Sequence, residues 1–185
     1  MSNQNLVEQL EQYKNEYYSE NTKNRVFKSK QKMDCAVKIA AQLSLEDLLS
    51  KTMYIIPNTK KVFIDYSIFK VYAHPGIYDK IINHIQNLFN ICIANYGGFD
   101  PHVDLKTFTV SGAHRYKDII DVFYRTALRN GTLYYKKLDA MYVYNTPTTI
   151  TEIAKLFLNP DVLPRVKTFT KEESPDKIKE LFGSL

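Results

Sequence analysis

Asp100, His102 and Asp104 alternate along the run Asp100-Pro101-His102-Val103-Asp104. On an extended strand alternate side chains share one face. With His114 further along, a His-x-Asp pair plus a distant His would suit a non-haem iron site. Polar residues entering a strand produce the same pattern without any ion, and no metal is expected. His74 and His84 stand alone, and Cys35 and Cys92 show no CxxC spacing. Cys92 falls in an apolar helical pattern and reads as packing. The chain carries no GxGxxG, GxxxxGK[ST], GxSxG or HExxH motif. The expectation is a non-catalytic protein with no cofactor.

A second chemistry lies in the basic stretch Lys23, Arg25, Lys28, Lys30 and Lys32, which contains no acid. Such a stretch meets anionic lipid headgroups or nucleic-acid phosphates, or is a solvated helix face. The net charge of +5 is modest, and no nucleic-acid reader motif surrounds the cations, so nucleic acid ranks lowest among partners. With 185 residues, 44% hydrophobic and 24% charged, the chain has the composition of one globular domain. No window of about 18 apolar residues exists to span a bilayer. Two cysteines argue for a reducing compartment. The polar amino end, Met1 to Asn5, lacks a signal core and a myristoylation glycine. These features predict a cytoplasmic protein.

The elements that must position these residues follow from periodicity. Leu6, Leu10, Tyr13 and Tyr17 recur at helical steps, and Met33 to Leu43 predicts a second helix. Ser44 with Asp47 marks a third helix start. Met53–Ile56 and Val62–Phe69 predict a strand pair around Asn58-Thr59. Tyr78 to Tyr96 predicts a long helix stopped by Gly97-Gly98. Val103–Val110 reads as strand, His114–Leu128 as helix, and Ala140–Tyr144 as a strand covered on both faces. Pro147 opens a helix closed by Asn159-Pro160, Val166–Thr170 is a last strand, and Ser174-Pro175-Asp176 starts a helix that Gly183 ends. Strands alternating with helices favour a layered α/β fold. The division expected is a helical amino-terminal segment over residues 1–50, packed on a core over 51–185.

The runs Asp104-Leu105-Lys106-Thr107, Asn145-Thr146-Pro147 and Lys155-Leu156-Phe157-Leu158-Asn159-Pro160 occur in the order DLKG, N-A-P, K-P-F-L-D-P of a known family. The sequence resembles the CRAL-TRIO domain of retinaldehyde-, tocopherol- and phosphatidylinositol-transfer proteins. Phe27–Asp34 is similar to that family's basic FLRARKFD segment, Lys60–Phe69 sits where its G-R-P-V strand belongs, and Lys177–Phe182 resembles its last helix.

The resemblance implies a mixed central sheet of about five strands with helices on both faces, preceded by a short helical segment and enclosing an apolar cavity for one lipid. It implies a gate helix over residues 148–158. The expected lipid-binding residues are Phe108, Val110, Ile119, Phe123, Met141, Val143, Ile150, Ile153, Leu156 and Phe157, all of which could equally fill an ordinary core. Headgroup or membrane-surface residues would be Lys28, Lys30, Lys32, Lys136 and Arg165. Here Lys136 replaces the family's headgroup glutamate and Arg165 its lysine, while Phe99 and Pro101 replace the hydroxyl pair of choline-lipid binders. The implied partners are one hydrophobic lipid and, peripherally, a membrane surface. The alternative is a protein-interaction module on the same fold with a collapsed cavity. An alkyl chain of about fifteen carbons would contribute on the order of 12 kcal/mol on burial, before ordering costs.

Overall fold

Local chemistry explains where the chain enters and leaves its elements. A computed structural model describes residues 3–22, 26–148 and 162–183. Three helices lead: α1 (Asn3–Glu20), α2 (Lys28–Gln42) and α3 (Leu45–Thr52). The Ser44 hydroxyl accepts from the Asp47 N–H and caps α3, as the sequence predicts. Strand β1 (Met53–Ile55) turns through Asn58 into β2 (Lys61–Asp65), an antiparallel pair. Asp65 then ends the strand: its carboxylate accepts from the Ser67 and Ile68 N–H groups and starts α4 (Tyr66–Tyr72).

Helix α5 (Tyr78–Tyr96) occupies the predicted span, and Gly97 closes it at φ 79°, a left-handed conformation that glycine adopts without a Cβ penalty. Strand β3 (Asp100–Asp104) leads through Thr107, itself at φ 68°, to a Thr109-capped helix α6 (Val110–Arg115). Helix α7 (Lys117–Phe123) follows and runs into a π-helical turn over Tyr124–Leu128. Next come α8 (Leu133–Lys137), β4 (Met141–Tyr144), β5 (Val166–Thr168) and α9 (Ser174–Phe182).

The protein is therefore an α/β fold with one five-stranded mixed sheet in the order β1-β2-β3-β4-β5. Among the described residues only the β1–β2 pairing is antiparallel; β2 to β5 are parallel neighbours. Because order in the sheet follows order in sequence, right-handed crossovers put α4–α5 and α6–α8 on the same face. That face joins Met53, Val62, Met141 and Val143 to the helices in one core, which also takes in Leu6, Leu10 and Tyr17 of α1. The amino-terminal helices thus share the core of the sheet. Alternate residues Ile56, Phe63 and Tyr144 point the other way and pack beneath Leu181 of α9. Among the described residues no helix is long and apolar enough to cross a membrane.

Two sequence expectations are corrected. Val62–Phe69 is not one strand, since the Asp65 cap breaks it after four residues of that run. Val103–Val110 is likewise split by the Thr107 turn, so Val110 opens a helix instead of ending a strand. The predicted helix opened by Pro147, with its expected gate over residues 148–158, lies outside the described residues from 149 onward.

Candidate functional site

Between the helical layer and the sheet lies a cavity of about 220 Å³. Its floor is Met53 of β1, Ile64 of β2, Pro101 and Val103 of β3, and Met141 of β4. Its roof comes from α5, through Ile81, Ile82 and Ile85, and from α7, through Ile119, Ile120 and Phe123. Tyr66, Phe69, Phe108 and Tyr116 close one end as a cluster of edge-to-face rings, with Tyr66–Phe108 centroids 4.9 Å apart and Phe69–Tyr116 5.1 Å.

The described residues of the wall offer no polar surface to an occupant. The one polar group whose position matters, the Tyr116 hydroxyl, is turned away and donates to the Lys70 carbonyl at 3.0 Å. Burial pushes the Tyr116 and Tyr66 phenols above their ordinary value, so neither ionises near neutrality. Gly112 of α6 keeps this wall closed, because a Cβ there would come within 2.6 Å of the Tyr66 hydroxyl. Such a space accepts hydrocarbon and offers nothing to a charge.

Of the expected lipid-binding residues, Phe108, Ile119, Phe123 and Met141 line this cavity. Val143 is buried on the same sheet face, next to the wall residue Met141 on β4. Val110 is 46% exposed at the start of α6 and takes no part in the wall. Ile150, Ile153, Leu156 and Phe157, and with them the expected gate helix, lie outside the described residues. The walls that sequence reasoning missed are α5 and α4; their apolar stripes were legible, but a stripe does not announce whether it faces a hollow or a neighbour.

The basic residues separate in space. Lys28, Lys30 and Lys32 are exposed on α2 and Lys136 is exposed on α8. Arg165 is occupied structurally: its Nη1 donates to the Tyr135 and Leu138 carbonyls at 2.6 and 3.0 Å, and its guanidinium lies 4.5 Å from the Tyr135 ring centre.

The carboxylate and imidazole set is divided among other tasks. Asp100 accepts from the Ala140 N–H and pairs with Lys60 at 3.5 Å. Asp104 accepts from the Lys106 N–H and from the Asn145 side chain at 2.7 Å. Asn145, at φ 53°, thereby ties the end of β4 to the end of β3 and joins the DLKT and NTP runs. His102 is buried, stacks 4.5 Å from Tyr142 and lies 2.7 Å from the Tyr144 hydroxyl, and burial lowers its pKa to about 4. Among the described residues no group of three or more His, Cys, Asp or Glu converges on a metal position. Burial pushes the Cys92 thiol up to about 11, which leaves almost no thiolate for nucleophilic chemistry. No protein-family model matches the chain, and no curated protein matches its sequence.

Proposed function

We propose that this protein binds one hydrophobic molecule, without catalysing a reaction on it, on a CRAL-TRIO-like scaffold that touches membranes peripherally. The observation that carries the reading is the wholly apolar cavity between the sheet and α5–α7. Protein interiors are close-packed, and a hollow lined by aliphatic and aromatic groups forfeits contacts that an apolar occupant restores. The Asp104–Asn145 bond supports the family reading, because it gives two of the resembling runs one joint task at adjacent strand ends.

Size refines the ligand class. A cavity of about 220 Å³ exceeds the ~150 Å³ that accepts benzene and falls below the ~300–1,000 Å³ of drug-sized sites. It suits a single aliphatic chain or a single ring, shorter than a fifteen-carbon guest and far smaller than a two-chain phospholipid. Each methylene buried contributes roughly 0.8 kcal/mol.

A second reading, a protein-interaction module with little carriage, is favoured by the commitment of Arg165 to backbone carbonyls instead of a headgroup. Native mass spectrometry of the purified chain, followed by decanol titration monitored at methyl groups by NMR, separates the two. The first reading expects a one-to-one adduct and saturable shifts at Ile81, Ile85 and Ile119. A clean apo mass with no shift at those methyls favours the second.

A further inference from the structure

Next to the Tyr116 ring, over which the Arg115 guanidinium lies, four helices each contribute a cation to one pocket. Lys14 of α1, Lys32 of α2, Lys70 of α4 and Arg115 of α6 surround a separate pocket of about 180 Å³, with Tyr18, Cys35 and Val71 as its remaining wall. We propose that this pocket is a binding site for a phosphate-class dianion, either free phosphate or the monoester headgroup of a lipid. The inference does not depend on what occupies the apolar cavity.

Three observations carry it. First, the cations are brought together by the tertiary fold, and like charges held together oppose folding. Burial and mutual repulsion both push the Lys32 and Lys70 ammonium groups below their ordinary pKa, with Arg115 and Lys14 acting on each. Second, neutralisation is sparse. Glu11 pairs with Lys14 at 2.8 Å, but among the described residues no carboxylate lies within ion-pair distance of Lys32, Lys70 or Arg115. Third, two of the cations are held in place by single contacts. Lys70 donates to the Thr107 hydroxyl, and Arg115 donates through Nε to the Ser29 hydroxyl at 3.3 Å while its guanidinium lies over the Tyr116 ring. An ammonium has three donors and a guanidinium five, so donors remain on both.

Four cations from four helices around one pocket differ from a nucleic-acid groove, in which cations track along a backbone. Lys30, two residues from Lys32, lies instead in a different cleft with Asp34 and Phe27. The basic stretch of α2 therefore splits, and only Lys32 reaches this pocket.

The full chain is titrated by calorimetry with inorganic phosphate at low ionic strength, and sedimented with phosphatidylcholine vesicles with and without phosphatidic acid. Arg115→Gln and Lys32→Gln are compared with Lys30→Gln, which removes the same charge outside the pocket; melting curves verify that each is folded. Phosphate binding weakened at least tenfold by the first two substitutions and less than twofold by the third supports the site with free phosphate as its ligand. Sedimentation only with phosphatidic acid, lost in the same two variants, supports it with a lipid headgroup as the ligand. Binding of neither, or equal weakening by all three substitutions, overturns it.

Discussion

The two faces of the sheet are built from the same strands and reach opposite results. Towards α9 the residues are large planar rings. Tyr54, Phe63 and Phe182 form one chain of contacts, with centroids 5.6 and 5.1 Å apart; His102 stacks on Tyr142, and Tyr144 on Phe169. Towards the helical layer the alternate positions are Ile64, Val103 and Met141, which are shorter and aliphatic. A sheet and its helical layer keep a spacing fixed by backbone geometry, so short branched side chains leave a hollow where rings close the gap. The strands thus present stacked rings towards α9 and shorter aliphatic side chains towards the helical layer, where the cavity lies.

The sharpest way to break this contrast is to empty the ring-stacked face. Phe63 is 6% exposed and sits between Tyr54 and the α9 ring Phe182. Phe63→Ala should cost about 3–5 kcal/mol, read as a large drop in the urea midpoint at unchanged m-value. A loss under ~1 kcal/mol would mean that this face is as yielding as the other.

Acid attacks the same face through His102. Its folded pKa is lowered to about 4, chiefly by burial and then by the Lys61 charge, against an ordinary 6.5. The unfolded chain therefore takes up the proton first. The stability that depends on neutral His102 is complete above pH 6.5, falls as pH drops, and is exhausted by about pH 4. The gap corresponds to about 3 kcal/mol. Thermal melts between pH 7 and 4 should show this slope in the wild type and lose it in His102→Phe. A variant that keeps the slope would place the acid sensitivity in another group.

Legibility in the sequence follows the range of the interactions. The span of α5, its Gly97 stop and the Ser44 cap were readable because periodicity and capping act within a few residues. The breaks at Asp65 and Thr107 were hidden, because runs of Ile, Val, Tyr and Phe suit a strand and a buried helix alike. The resemblance alone points to Phe108, Ile119, Phe123 and Met141 as lipid-binding residues, and these four line the cavity. Nothing local distinguishes Ile81 facing a hollow from Phe89 stacked on Phe99 along the same helix. The cation pocket was out of reach for a stronger reason: Lys14, Lys32, Lys70 and Arg115 meet only after four helices dock.

The smallest expected effect on stability is the most informative about function. Adding volume to the ring-stacked face, as in Ile56→Phe, should cost about 1–3 kcal/mol, since the extra ring has no room and Ile56 is 1% exposed. Adding it to the hollow face, as in Val103→Phe, should cost less than ~1 kcal/mol, because the ring enters the cavity beside Ile64 and Phe108. The same substitution removes the space a guest needs, so the decanol shifts at Ile81, Ile85 and Ile119 should vanish while the melting temperature barely moves. Equal costs for the two substitutions would mean that the hollow face has no more room than the ring-stacked one. Persistence of decanol binding in Val103→Phe would mean that the guest sits elsewhere, even if the space beneath α5 is open.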